Sequence, residues 1–169
     1  MSHAKNKVEW CLRKAEKEQL NEASTHRGLV KVKTDIEKAK HFIMKAERYL
    51  KATEHLKKVG LSDISAGTVF YSMYHCLLAI AAKHGYESRN QECTFALIYS
   101  LIEDKKIDFE EDIIVRVALL EPKDDDQTSL KVRERYQYGT EFSIKDDLYK
   151  KLVELAKEVI AKAKEIIEK

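Results

Sequence analysis

The chain has 169 residues, of which 44% are hydrophobic and 36% charged, and its formal net charge is +2. A chain of this length can bury one sizeable core and still cover its surface with charge, so we expect one compact domain. Five glycines and one proline interrupt a composition dominated by Lys, Glu, Ala, Leu and Ile. This composition favours helices and predicts an all-α fold without a sheet.

The predicted elements begin with an amphipathic helix within residues 1–25. Val8, Leu12 and Ala15 fall on one stripe of this helix, as the helical period requires. We assign residues 1–27 to this N-terminal helix and residues 28–169 to an antiparallel helical bundle.

A long helix with a narrow apolar seam is predicted from Thr34 to Gly60. Thr34 and Glu37 form a capping-box pair, and apolar residues then recur at steps of three and four. Ser62 is placed to cap the next helix, which ends at Gly85. Two helices joined by so short a turn form an antiparallel hairpin.

Capping pairs also predict three of the remaining helices. These pairs are Ser88 with Gln91, Asp108 with Glu111, and Ser143 with Asp146, and the first two helices run to about Leu101 and Leu120. Another helix, from about Gln127 to Tyr138, ends at Gly139. It follows a solvated connection that holds Pro122 and the acidic run 124–126.

Membrane insertion, export and disulfide formation are not expected. The longest apolar stretch, 69–82, is interrupted by polar residues and too short to span a bilayer, and the first twenty residues hold no hydrophobic segment. Cys11, Cys76 and Cys93 are odd in number and lack paired spacing, so neither a disulfide framework nor a zinc site is predicted. A reducing cytoplasm fits best.

The charge is unevenly distributed along the chain. Residues 1–60 carry 15 Lys and Arg against 8 Asp and Glu, a net +7, whereas residues 103–149 carry 8 against 14, a net −6. A basic half attracts phosphate, and an acidic half attracts another protein or a second copy of the chain. Solvated helix faces are the simpler interpretation, so charge alone leaves the function open.

One stripe of the helix from Ser62 to Gly85 gathers small and polar side chains around a histidine. At helical spacing this stripe contains Thr68, Tyr71, Ser72, His75, Ala79 and Ala82. Small residues let another helix approach closely, from this chain or from a second subunit. His75 is then a hydrogen-bonded interior residue, a ligand contact or a catalyst, and the first is the commonest fate of a buried polar group.

The stretch 71–75 (YSMYH), followed by a capped short helix and then by 135–139 (RYQYG), resembles the HEPN family (higher eukaryotes and prokaryotes nucleotide-binding). The resemblance covers about residues 31–169. It implies a small antiparallel helical bundle that commonly forms a homodimer. Many members resemble ribonuclease toxins or the partners of minimal nucleotidyltransferases in prokaryotic toxin–antitoxin modules, and the implied chemistry uses no cofactor.

The active family pattern places an Arg shortly before the His. Across a dimer seam, the Arg stabilises a pentacoordinate phosphate while the His moves a proton from the RNA 2′-hydroxyl or to the leaving oxygen. Here Thr68, Val69 and Phe70 occupy the positions for that Arg, and none is cationic. A second stretch of this style, 89–94, closes without a His. His75 is therefore a candidate catalytic residue in a site that lacks its Arg.

Further residues are candidates for nucleotide or RNA binding. Tyrosines stack on bases, and arginines present a donor fork that matches phosphate oxygens. The candidates are Tyr71, Arg89, Asn90, Arg133, Arg135 and Tyr138. Each has a simpler interpretation, as a packing tyrosine or as a polar residue in a surface ion pair or helix start.

Three functions from different classes follow from these patterns. The first is a nucleotide- or RNA-binding HEPN module with a degenerate ribonuclease site. The second is a protein-interaction or antitoxin-like partner of a minimal nucleotidyltransferase. The third is an active metal-independent endoribonuclease whose Arg comes from elsewhere in the chain. We place the first ahead, because the Arg is missing and His75 is present.

Overall fold

The computed structural model describes residues 2–20, 25–120 and 127–169. These residues form seven helices and two short strands: α1 His3–Leu20, β1 Leu29–Lys31, α2 Ile36–Lys58, α3 Ser62–Lys83, β2 Tyr86–Ser88, α4 Gln91–Glu103, α5 Glu111–Val117, α6 Ser129–Tyr138 and α7 Asp146–Glu168. The all-α class is confirmed. The predicted connection around Pro122 and 124–126 lies outside the described residues.

The expectation that the bundle has no strand was wrong for six residues. β1 and β2 pair antiparallel, with Val30 opposite Glu87. The α2–α3 hairpin brings the segment before α2 beside the segment after α3, and the Val32 N–H continues the pairing to the Gly85 carbonyl at 2.9 Å. Gly85 has φ +77°, a conformation that glycine adopts without strain. Strands of three residues are too short for a periodic pattern in the sequence.

Helix starts agree with the predicted ones to within three residues, but the capping residues differ. The N-caps of α2 and α4 are Asp35 and Asn90, whose side chains accept a backbone N–H of the first turn. Thr34 and Ser88 had been expected there. Ser62 does not cap α3, because its Oγ accepts a backbone N–H from the segment that precedes α7.

α3 is the core helix and packs against α2, α4, α6 and α7. Phe70, Met73 and Leu77 are fully buried on it. Its small-residue stripe meets α2 of the same chain, where the Ser72 hydroxyl donates to the Ala46 carbonyl at 2.8 Å. The predicted close helix approach is therefore made within the subunit, and a homodimer would need another surface.

By length and composition α3 is also a candidate membrane span, which the shorter stretch 69–82 did not suggest. In the part of the chain that the structure describes it is the single helix of this kind, and 72% of its apolar window is buried inside the bundle. Packing in the core accounts for this apolar composition.

The prediction that no disulfide forms was wrong. Cys11 of α1 and Cys93 of α4 are bonded, with their Cα atoms 5.8 Å apart, and both residues are fully buried. The two residues lie 82 positions apart and meet because α1 packs along α4. Short spacing motifs cannot show such a pair. Cys76 is a buried free thiol, and the cysteines no longer support a reducing compartment.

Candidate functional site

The predicted site residues do not converge on one point. Tyr71 and Arg133 meet in a cavity between α3 and α6, whereas His75 lies one turn further along α3 and faces α2. The remaining predicted binding residues lie elsewhere on the molecule: Arg89, Asn90, Arg135 and Tyr138.

The cavity between α3 and α6 has a volume of about 420 Å³. Its walls carry aromatic, hydroxyl and charged groups, a composition typical of sites that bind small polar ligands. Among its lining residues are Asp63, Thr68, Tyr71, Arg133, Tyr136 and Gln137. The cavity opens near the N-terminal half of α3, on the stripe that also carries His75.

Arg133 is the most unusual group in this cavity. Its side chain is only 9% exposed, and its Cζ lies 5.2 Å from the centre of the Phe70 ring and 6.0 Å from that of Tyr71. The guanidinium donates from Nη1 to the Gln137 amide oxygen, but Nε is buried without a hydrogen-bond partner. Among the described residues no carboxylate pairs with it. A largely buried guanidinium that no carboxylate pairs with favours an incoming anion.

The sequence positions that lack an Arg are now explained by packing. Val69 and Phe70 are 2% and 0% exposed and belong to the core. Thr68 faces the cavity, and its hydroxyl lies 2.7 Å from that of Thr53 on α2. The guanidinium of Arg133 reaches the same stretch of α3 from α6, over the face of Phe70.

His75 is held as a neutral base. Its Nδ1 lies 2.6 Å from the Tyr71 carbonyl oxygen, and a carbonyl only accepts, so Nδ1 carries the proton and Nε2 has the lone pair. Burial lowers the pKa of His75, and the positive charge of Lys45 on α2 lowers it further, while the bond to Tyr71 opposes both. The ring packs 4.8 Å from that of Tyr49, centre to centre.

This arrangement predicts a pH-dependent stability. The folded pKa of His75 lies below 6.5, so its contribution to the free energy of unfolding is complete above pH 6.5 and is lost as the pH falls towards the folded pKa. His84 behaves alike, since burial also lowers its pKa. Each such histidine lowers the free energy of unfolding by at most about 1.4 kcal/mol for each pH unit of acidification in this range.

Urea unfolding at about pH 7.5 and about pH 5.5 measures this effect, in a range where ordinary carboxyl groups stay ionised. In His75→Gln the amide can still donate to the Tyr71 carbonyl but does not titrate, so we expect a smaller loss of stability on acidification. His84→Gln provides the matched comparison at the end of α3. An equal loss in His75→Gln and wild type would show that His75 does not titrate as described.

Arg89 and Asn90 lie between β2 and α4 and bind neighbouring residues there. Arg89 Nε lies 3.2 Å from a carboxylate oxygen of Glu87, and that carboxylate also accepts from Lys38 Nζ at 3.0 Å. The bond to Lys38 is the main cause that lowers the pKa of Glu87. The Asn90 side chain caps α4. Both residues therefore have structural partners.

Arg135 and Tyr138 lie on the outside of α6. Arg135 donates to Glu141 from Nη2 and Nε, at 2.7 and 3.1 Å, in an exposed ion pair. Tyr138 is 77% exposed. Neither residue lines the cavity that holds Arg133, although they share its helix. Arg135 fits the simpler interpretation of a surface ion pair, whereas Tyr138 is too exposed to be a packing residue.

Sequence reasoning missed the residues that α2 contributes beside His75, namely Phe42, Lys45 and Tyr49. Their role depends on which face of α2 lies along α3, and a capping box or an apolar seam does not give that register. Across the described ranges, no group of three or more His, Cys, Asp or Glu side chains is arranged to hold a metal ion.

A helical hairpin that carries a tyrosine-flanked histidine, beside a cavity lined by Arg133 and Asp63, defines the chain as an all-helical bundle protein. The HEPN domain family model matches residues 39–167, from the first turn of α2 to the last turn of α7, and the chain belongs to this family. The resemblance noted at 71–75 and 135–139 is thereby confirmed at the family level. α1 and β1 precede the matched region. The curated proteins compared with this chain include no match.

Proposed function

We propose that this chain is a nucleotide- or RNA-binding HEPN module whose ribonuclease site is degenerate. The proposal depends above all on Arg133, a largely buried guanidinium that lines a cavity of about 420 Å³ and pairs with no carboxylate among the described residues. Phosphate oxygens accept from such a donor, and Tyr71 and Tyr136 offer aromatic faces for a base. A phosphate carried on a planar ring system fits both groups.

The separation of Arg133 from His75 supports a degenerate site. In the active family pattern one helix presents both groups to the same phosphate. Here the cation comes from α6 and lies over Phe70, while the His75 ring packs against Tyr49 and Phe42 of α2. Phosphate binding at Arg133 and proton transfer at His75 are thus assigned to different sites on the protein.

The acidic half of the chain, residues 103–149, supports a protein partner less well than Arg133 supports a nucleotide or RNA ligand. Several of its carboxylates are neutralised within the subunit, so they add little to an acidic docking surface. These pairs include Asp104 with Lys5, Glu110 with Lys162, and Glu141 with Arg135. An antitoxin-like partner of a nucleotidyltransferase and a homodimer are proposals that depend on the family resemblance, and a cytoplasmic location is a proposal that depends on the sequence analysis.

The test is calorimetric titration of the four ribonucleoside 5′-monophosphates, one at a time, at low salt. We expect Arg133→Met to weaken binding by about 10- to 100-fold, the effect of losing a charged hydrogen bond of about 1.5–3 kcal/mol. The affinity should also fall as salt is added, because phosphate contacts release counterions.

Arg135→Gln is the matched control, since it removes an arginine of the same helix that lies outside the cavity and pairs with Glu141. It should leave the affinity unchanged to within about twofold. Absence of binding by every monophosphate and by RNA would refute the proposed function. Binding that survives Arg133→Met would remove this cavity as its site.

A further inference from the structure

Asp63 is a carboxylate that lines the same cavity as Arg133 and has no partner. Its side chain lies partly buried in the first turn of α3 and forms no hydrogen bond or ion pair with any described residue. Elsewhere in the described ranges, every Asp or Glu side chain that lacks a partner is exposed, as Asp147 and Glu154 are. Asp63 and Arg133 thus present opposite charges to one cavity without pairing with each other. A ligand that carries both a donor edge and an anion satisfies both groups.

Gly67 also lines this cavity and leaves its wall without a side chain. Asp63, Gly67 and Tyr71 follow each other at steps of four residues, so they form one line along α3. The φ angle of Gly67 is not positive, and no described group packed against α3 lies within 4 Å of the place that a Cβ would take. Neither the backbone nor the packing therefore requires a glycine, which weakens a helix interior. The bare backbone instead lets a planar ring approach closely.

The two charged groups lie at opposite ends of this line. The eight residues from Asp63 to Tyr71 rise about 12 Å along α3, and the Cζ of Arg133 lies 6.0 Å from the centre of the Tyr71 ring. The Gln137 amide oxygen accepts from Arg133, so the amide N–H groups of Gln137 add donors at that end. The cavity therefore has a donor end that suits a phosphate and, about two helical turns away, an acceptor end that suits the edge of a base.

We propose that this cavity selects guanine, with a guanosine 5′-monophosphate unit as its ligand and Asp63 as the specificity-determining residue. The inference rests on the proposed function and names its base. A carboxylate only accepts hydrogen bonds, and its two oxygens accept the adjacent N1–H and N2–H donors of guanine together. In the other three bases the donor that meets Asp63 is flanked by an acceptor, which repels the second oxygen. The ring lies on Gly67 and the phosphate at Arg133.

Calorimetric titration at low salt compares guanosine 5′-monophosphate (GMP) with inosine 5′-monophosphate and the three other ribonucleoside 5′-monophosphates. We expect GMP to bind at least about tenfold more tightly than those three, the effect of one charged hydrogen bond. Inosine 5′-monophosphate lacks the 2-amino group and should bind several-fold more weakly than GMP. In Asp63→Asn the affinity for GMP should fall about tenfold, whereas the affinities for the three other nucleotides should change by less than about twofold.

Asp147→Asn is the matched control. It changes a first-turn carboxylate of α7 that is exposed, has no partner among the described residues and lies outside the cavity. Both variants remove a charge from a helix N-terminus, so a role of Asp63 in helix stability alone would make them behave alike. We expect Asp147→Asn to keep the full preference for GMP.

Gly67→Ala tests the position of the ring. Alanine is the better helix former and meets no packed group there, so the urea midpoint of unfolding should rise. The added methyl group occupies the place proposed for the base, so GMP binding should weaken at least about tenfold. A glycine with only a structural role would not give this combination. Unchanged GMP binding in Gly67→Ala would overturn the inference.

An RNA of about six nucleotides with a single guanosine, compared with the all-uridine strand, distinguishes a guanosine unit bound within a strand from free GMP. Equal affinities for the four monophosphates, or a preference for another base, would overturn the inference and leave the proposed function intact. A preference for GMP that survives Asp63→Asn would overturn it as well. Absence of binding by every nucleotide and by RNA would instead refute the proposed function itself.

Discussion

Removal of the disulfide by Cys11→Ala/Cys93→Ala is expected to lower the free energy of unfolding by about 4–5 kcal/mol. The bond joins residues 82 positions apart, so in the chain-entropy description it removes a large loop-closure entropy from the unfolded state. The sulfurs are buried between α1 and α4, so the variant also loses packing there. Urea unfolding with and without dithiothreitol measures the difference.

Two comparisons make this test specific. The double variant should no longer respond to dithiothreitol, whereas Cys76→Ala, which removes the free buried thiol, should respond as the wild type does. Limited proteolysis should cut the reduced protein first within α1, since α1 is attached to the bundle mainly through α4 and β1. A wild-type protein with unchanged stability in dithiothreitol would show that the bond does not stabilise the fold, and would favour the reducing compartment expected from the sequence.

The α2–α3 hairpin was the most predictable part of the fold, because its signals are local. An apolar seam with helical period and a short turn at Gly60 describe two antiparallel helices without reference to the rest of the chain. Gly60 has φ +80°, as a helix-ending glycine often does. The capping residues were less predictable, because several polar residues at a helix start can each act as the N-cap. Asp35 caps α2 where Thr34 was expected. The disulfide was missed because only the packing of α1 on α4 brings its cysteines together.

The candidate site was predictable only in part, for the same reason. The spacing of Tyr71 and His75 places them one turn apart on α3, as observed. It does not say that α2 covers that face and brings Tyr49 and Lys45 to it. Arg133 was a candidate for nucleotide or RNA binding, and a surface ion pair was its simpler interpretation. Its burial against Phe70 depends on how α6 lies across α3.

RNA cleavage by the purified protein is expected to be slow or absent, and independent of metal. The neutral Nε2 of His75 is suited to accept a proton, but no guanidinium beside it is preorganised for the phosphate. Lys45 is a point charge on a flexible chain and cannot present a donor fork. Loss of one preorganised charge costs roughly 100- to 1,000-fold in rate, by analogy with a deleted oxyanion donor. A time course on labelled single-stranded RNA, with and without EDTA, measures the residual rate.

Thr68→Arg is the variant expected to gain cleavage. Of the three positions that lack the Arg, Val69 and Phe70 are core residues, whereas Thr68 faces the cavity and has room for a longer side chain. Thr68→Lys adds charge without the fork and should gain less, and His75→Ala in the Thr68→Arg background should abolish the gain. All variants are purified identically to exclude a contaminating nuclease, and circular dichroism checks their folding. Robust wild-type cleavage that is lost in His75→Ala would contradict the degenerate site, and the residue that supplies the missing charge would then be sought by substituting the arginines of the chain, Arg133 first.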